Sequence, residues 1–495
     1  MAGLTTILVL FSSWRSVYSL SEDTAQAMPL TYSQALAYIH SFDDPYLAAI
    51  RNHGQQTWGL DRIRARLAEL GNPHLVYPTI HVAGTKGKGS TAAFIAQGLV
   101  ESGLKTGLYT SPHLQDWRER LQINGQWITE QQLTQIVEDY HQIITAVEGL
   151  SAFEVGTALA FWHFARQGCD IAVIEVGLGG RLDATSVVEP VISVITNISL
   201  DHTQLLGDTL EQIAGEKAAI IKRSVPVISG PQQPSALAVI EACARQMDSP
   251  VTIIGRNWKV HPLLSDWNGS DFEVELGEEI QRIHIGLAGA VQIENAAVAF
   301  AALKAAQQAG IPVKDGSILQ AMSEMRWPGR LELVRKNPLV VLDGAHNPYS
   351  IARLVESLST LDDFATLTVV FGCMADKQVD AMLAALLPAC RRIIFTQADN
   401  IRAATPDDLM NQAATVIAGA RIRGELWARS IRIESAPDVG SAINLALASL
   451  PDEDALCITG SLAIVGEART ILFAMDDENA PLASEANQDD NPKPE

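Results

Sequence analysis

The sequence predicts an α/β protein of two parallel-sheet domains: a P-loop domain of the ATPase kind, then a smaller, Rossmann-like C-terminal α/β domain. Three observations carry this. A short apolar run, Ile80 to Ala83, leads into Gly84-Thr85-Lys86-Gly87-Lys88-Gly89-Ser90-Thr91 and then the helical pattern Ala92 to Val100, the strand, phosphate loop and helix of a nucleotide-triphosphate site. Continuous apolar runs at Asp170 to Val176 and Pro190 to Ile198 alternate with helical segments, as in a parallel sheet covered on both faces. Beyond Pro328-Gly329, strand patterns near 339–342, 367–371, 392–396, 431–434 and 455–459 alternate with helices, which predicts a second sheet.

At 495 residues and 47% hydrophobic, the chain can fill two or three cores. We divide it into an N-terminal extension (1–27), the phosphate-loop domain (28–330), the C-terminal domain (331–475) and an acidic, disordered tail (476–495). Leu4 to Phe11 is too short to span a bilayer and lacks the preceding basic residue of a signal peptide. The extension is therefore expected to be dispensable, with Met28 as an alternative start. A net charge of −21 argues against nucleic acid or an acidic membrane surface as partner. Cys169, Cys243, Cys373, Cys390 and Cys457 are far apart, without paired metal spacing, and read as reduced residues of a cytoplasmic protein.

In the phosphate loop, Gly84, Gly87 and Gly89 let backbone N–H groups turn inward without a Cβ clash. Lys88 can reach the β/γ oxygens, and the positive end of the next helix faces them. Gly89 separates Lys88 from Ser90, unlike the commonest P-loop spacing. Lys105 to Tyr109 reads as a strand ending in Thr110-Ser111-Pro112-His113-Leu114. The later strands deliver Glu175, with Gly177 to Asp183 after it, and then Asn197, Asp201 and His202. In such sheets ligands bind at the carboxyl ends of strands. A glutamate within an apolar strand is costly unless paired or bound to a cation, so Glu175 is either a structural ion pair or, with His202 and a nearby hydroxyl, part of a Mg²⁺ shell.

Thr209 to Lys222 reads as a helix whose apolar stripe includes Lys217. Snorkelling would keep that amine wet. Burial would instead favour the neutral amine, which can react with CO₂ to form a metal-ligating carbamate. Residues 224–290 read as strand-rich, Val291 to Gln307 as a helix carrying Asn295, and Arg326 to Glu332 as a hinge with Arg330 reaching the neighbouring domain. Asp343-Gly344-Ala345-His346-Asn347-Pro348, Asp376-Lys377 and Thr459-Gly460-Ser461 follow strand ends of the second sheet, and their clustering favours a site facing the phosphate loop across a cleft.

Taken in order, GTKGKGS, TSPHL, SAFE, EVGLGGRLDAT, ISLDHT, LGDTLEQIAGEKAAIIK, WPGRLE, LDGAHNP and TGS cover nearly all of residues 28–475. This series resembles the folylpolyglutamate synthase/dihydrofolate synthase branch of the Mur ligase superfamily. The resemblance implies an ATP-dependent amide-bond ligase adding L-glutamate to dihydropteroate and to tetrahydrofolate polyglutamates through an acyl phosphate. It also implies a monomer. Gly84, Thr85, Lys86, Gly87, Lys88, Gly89 and Ser90 would hold the phosphates of ATP, with Asn295, Arg330 and Asp343 completing the nucleotide site. Ser111, Glu175 and His202 would bind two Mg²⁺ ions, supported by a carbamylated Lys217, with Ser90 as a rival hydroxyl ligand. Lys88, Glu175, His202 and Lys217 would thus carry catalysis. Ser151, Ala152, Phe153 and Glu154, with Trp58, Gly59 and Leu60, would line a pterin pocket, and His346 and Ser461 would hold glutamate.

The chain departs from the family pattern at Val291, where a His-Gln pair is common, at Lys86, where asparagine is frequent, and at EKAAI for EKAGI. Two other classes share features. A cell-wall amino-acid ligase would share the ATP machinery but lack TSPHL and SAFE, and a nucleotide-binding switch would need only the loop.

Overall fold

The strand before the phosphate loop, β1 (Thr79–Ala83), is buried along its length, as expected of an apolar run at the centre of a parallel sheet. The computed structural model describes residues 29–42, 59–144, 149–361 and 363–479. The proposed extension and Trp58 lie outside them. With β1, the strands β2 (Thr106–Tyr109), β3 (Leu121–Ile123), β4 (Gln126–Trp127), β5 (Ile171–Glu175), β6 (Ile192–Ile195), β7 (Val227–Ser229) and β8 (Val251–Ile253) form a sheet of order β4-β3-β2-β5-β1-β6-β7-β8. All its pairs are parallel except the β2-β3 and β3-β4 hairpins. The carboxyl ends of β1, β2, β5 and β6 therefore share one edge.

A meander of β9 (Lys259–Asp266), β10 (Gly269–Leu276) and β11 (Glu279–Ile285) adds a small antiparallel sheet. The second large sheet runs β12-β13-β17-β14-β15-β16, from β12 (Glu332–Lys336), β13 (Leu339–Asp343), β14 (Leu367–Phe371), β15 (Arg392–Phe395), β16 (Arg432–Ser435) and β17 (Ala455–Thr459). Its edge strand β12 pairs antiparallel with β13. Six helices position the site: α1 (Lys88–Glu101), α2 (Ala152–Arg166), α3 (Leu210–Ala218), α4 (Ala290–Gln308), α5 (Pro348–Leu361) and α6 (Leu462–Asn479). Among the described residues, no helix is long and apolar enough to cross a membrane.

Several boundaries differ from the sequence reading. Helix α1 begins at Lys88, four residues before Ala92, because left-handed Gly87 (φ +86°) caps it. Helix α3 stops at Ala218, short of Lys222. The strand-rich region contains a helix, Pro234–Gln246, opened by proline at its first turn. Strand β12 has no counterpart among the expected strands, its residues being only half-buried and without an apolar signature. Helix α6 runs through Asn479, beyond the expected tail boundary at 475.

Beneath β1 lies a polar relay. His81 is fully buried, its Nε2 lies 2.9 Å from Thr185 Oγ1, and the Thr185 hydroxyl donates to Asp183 Oδ1. Since that hydroxyl gives its proton to Asp183, His81 donates through Nε2. Asp183 also receives the Leu178 N–H at 2.8 Å, so the relay anchors the glycine-rich loop after β5. Burial, then the charge of Lys222, push the His81 pKa from 6.5 down to about 3. The unfolded chain binds a proton in this window that the folded chain refuses, so stability falls as pH drops, by up to about 1.4 kcal/mol per pH unit. His81→Gln should remove about one proton from the acid-side slope of unfolding free energy, read by urea titration between about pH 4 and 7. An unchanged slope would refute this.

Candidate active site

A cleft of about 520 Å³ lies between the carboxyl edge of the first sheet and the second domain, and is lined from one side by Thr85, Lys86, Gly87, Lys88, Gly89, Ser90, Ser111, Glu175, Asp201 and His202. Asn295 of α4 and, from the hinge and second domain, Arg330, Asp343, His346, Lys377 and Ser461 complete the wall. The structure thus brings together most residues singled out from the sequence.

The loop is packed so closely that two of its glycines are obligatory. A Cβ on Gly84 would lie 1.8 Å from Thr196 Oγ1, and one on Gly87 2.1 Å from Asn295 Oδ1. Asn295 therefore abuts the loop itself, and its Nδ2 donates to Gln292 Oε1 at 3.1 Å. Val291 lines the cleft as an apolar neighbour. The first turn of α1 leaves its N–H groups facing the cleft, a site suited to phosphate. Glu175 Oε2 and Trp327 both stand beside Gly89, 3.5 and 3.7 Å from where a Cβ would be.

Glu175 ends β5 with 3% exposure, and its Oε2 accepts the Ser111 N–H at 2.9 Å. Burial raises its pKa, opposed first by the charge of Lys88 and then by that N–H and Arg330. A carboxylate so placed calls for a cation. His202 takes a left-handed backbone (φ +50°), and its N–H donates to Asp201 Oδ1 at 3.0 Å. Partial loss of hydration in the cleft lowers its pKa to about 4 although the ring remains 36% exposed, which leaves a neutral imidazole able to ligate metal. Among the described residues, no group of three or more His, Cys, Asp or Glu side chains gathers as a closed metal site. Lys217 lies behind the cleft wall rather than in it, at 3% exposure; burial first, then the charge of Lys88, bring its pKa from 10.5 to about 7. The lysine does not snorkel.

At the hinge, Asp343 accepts the N–H groups of Leu331 and Ala345, each at 2.9 Å. Leu331 is held left-handed (φ +49°), a strained conformation for a bulky residue that this carboxylate pins. Arg330 crosses Gly344, where a Cβ would lie 2.6 Å from its Nη1.

Some residues fall elsewhere. Ser151 and Glu154 form the capping box of α2: the Ser151 N–H donates to Glu154 Oε2 at 2.9 Å and the Glu154 N–H to Ser151 Oγ at 3.1 Å. Ser151, Ala152, Phe153, Glu154, Gly59 and Leu60 do not line the cleft, and the Phe153 ring backs onto Gly177, 2.4 Å from where a Cβ would stand. Both ring nitrogens of His346 are engaged, Nδ1 with Gly344 O at 2.8 Å and Nε2 with Lys86 Nζ at 3.0 Å. Sequence reasoning left out of the site the ion pairs Lys86–Asp201 (2.8 Å) and Arg353–Glu294 (2.9 Å); the second joins α5 to α4 across the cleft, and no local pattern marks it.

Residues 82–303 match the Mur ligase middle domain and residues 329–462 the Mur ligase glutamate ligase domain. The folylpolyglutamate synthase of Lacticaseibacillus casei is 35% identical over 453 residues, which covers 90% of this chain and 99% of that protein. The chain belongs to the folylpolyglutamate synthase/dihydrofolate synthase family of Mur ligases. A probable bifunctional folylpolyglutamate synthase/dihydropteroate synthase of Haloferax volcanii is 36% identical over 425 residues, covering 83% of this chain, which spans only 48% of that longer protein. Among solved structures, E. coli FolC in complex with DHPP and ADP superposes with a TM-score of 0.77 at 27% identity, covering 92% of this chain and 100% of that one. The match spans both sheets that form the cleft.

Proposed function

We propose that this family member is an ATP-dependent ligase that joins L-glutamate to the carboxylate of dihydropteroate and of tetrahydrofolate polyglutamates through an acyl phosphate, as a monomer in the cytoplasm. The carrying observation is one cleft lined at once by the phosphate loop, by Glu175 and His202, and by Arg330 and Ser461 of the second domain. The names of the relatives narrow the acceptor to folates, and the structure of E. coli FolC in complex with DHPP and ADP supports the same reading.

In this reading the loop N–H groups and Lys88 hold the phosphates of ATP, Asn295 and Asp343 fix the loop and hinge around it, and Arg330 approaches from the opposite wall. The γ-phosphoryl group moves to the acceptor carboxylate, ADP leaves its bond, and the glutamate amine then displaces phosphate from the acyl carbon as an amide forms. Lys88 and Arg330 face the charge that develops during transfer, while closure of the domains keeps water from the acyl phosphate. The buried Glu175, the neutral His202 and the Ser111 hydroxyl fit Mg²⁺, which takes few side-chain ligands. Two such ions would supply Lewis-acid stabilisation of the transferring phosphoryl group. Lys217, buried with its amine near neutrality, fits the carbamate that would support them. The pterin would lie towards the Phe153–Leu178 side, with Ser151 and Glu154 acting through the α2 cap.

The test is ADP release with ATP, Mg²⁺ and L-glutamate, comparing dihydropteroate with tetrahydrofolate and weighing the products. Turnover with both acceptors is expected. Silence with both would overturn the reading.

A further inference from the structure

We infer that Lys86, anchored by Asp201 and His346, receives a carboxylate of the incoming amino acid. This rests on the ligase reading above. An ammonium group has three N–H donors and no acceptor. One of those of Lys86 goes to Asp201 Oδ2 at 2.8 Å and a second to His346 Nε2 at 3.0 Å. The third is left for the cleft, which the Lys86 side chain lines.

The geometry fixes each partner. Gly344 O can only accept, so His346 Nδ1 carries its proton; Lys86 can only donate, so Nε2 is the acceptor. The imidazole is thereby spent as a ligand for substrate and becomes a prop for the lysine. Asp201 is held in turn from the second domain, where Asn347 Nδ2 donates to its Oδ2 at 3.1 Å. The Lys86 backbone is fixed independently, its carbonyl accepting the Thr196 hydroxyl at 2.7 Å. A lysine whose backbone is held by the first domain and whose ammonium is held from both domains presents its remaining donor at one point, which is what recognition of a small amino acid with two carboxylates requires.

Phosphate is the competing oxyanion. Lys88, at the first turn of α1, stands at the helix end that suits phosphate, whereas Lys86 turns to the His346–Asn347 turn of the other domain. The two are separable because the acyl phosphate forms without glutamate and can be trapped by hydroxylamine, whose nitrogen displaces phosphate to give a hydroxamate. In Lys86→Met, the KM for L-glutamate should rise by about tenfold to a hundredfold, and amide formation should fall by at least about ten times more than hydroxamate formation. Asp201→Asn, which keeps the lysine but loosens it, should give the same selective rise, and Lys86→Arg should recover part of it. An unchanged KM for glutamate, or equal losses in both assays, would overturn the assignment; melting temperature and MgATP binding of each variant identify a folding defect. Wild-type protein that forms no hydroxamate with any folate acceptor would instead overturn the ligase reading itself.

Discussion

Lys88→Ala is expected to lower turnover by about a thousandfold or more while leaving the fold in place. Lys88 opens α1 directly after left-handed Gly87, so the helix start that aims N–H groups at phosphate also aims this side chain. Its charge is the largest counterweight to the buried Glu175 carboxylate, and it lines the cleft opposite Arg330. Removing it takes away a donor for the transferring phosphoryl group and leaves Glu175 less compensated. Helix α1 itself is secured by fully buried Phe94, Ile95 and Leu99 in the core, which the substitution does not touch. ADP release beside circular dichroism reads the two effects separately. Turnover near that of the wild type, with the spectrum intact, would remove Lys88 from the phosphate site.

The parts of this site legible in the sequence are those in which chemistry and local structure coincide. A strand that must end, a loop that must turn and a helix that must begin wrote GTKGKGS into consecutive residues, and the isolated acid in an apolar strand marked Glu175. Lys217 was legible as an oddity because helical spacing put it on the apolar stripe; its 3% exposure decides between the wet and the buried reading. What stayed hidden depends on distant segments. The Lys86–Asp201–His346 cluster joins positions up to 260 apart in the chain, and Glu294–Arg353 pairs two helices whose sequences carry no mutual signal. SAFE carries a structural role as well: Ser151 and Glu154 have the spacing of a capping box, and the structure uses them as one. The antiparallel β12 carries no strand pattern because a half-buried edge strand needs no apolar alternation.

Glu175→Gln should abolish turnover and, in chelator, raise the melting temperature. The two effects come from one cause. At 3% exposure the carboxylate charge carries a desolvation cost that raises its pKa and that Lys88, the Ser111 N–H and Arg330 only partly offset. Glutamine keeps the shape and can still accept the Ser111 N–H, but it has no charge to desolvate. Relief of about 1 kcal/mol would raise the melting temperature by roughly 1.5 °C in a domain of about 300 residues. Adding MgATP should reverse the order, since a ligand at a hundredfold its Kd stabilises by about 2.7 kcal/mol and the variant lacks the carboxylate that a metal–nucleotide complex would meet. Melting curves of both proteins, in chelator and in MgATP, test this with no activity assay. A variant no more stable than the wild type in chelator would mean that Glu175 is fully compensated within the protein, and an equal gain from MgATP would mean that it does not face the metal. The strain of a buried, incompletely paired carboxylate is what a cation-binding site stores before its ligand arrives.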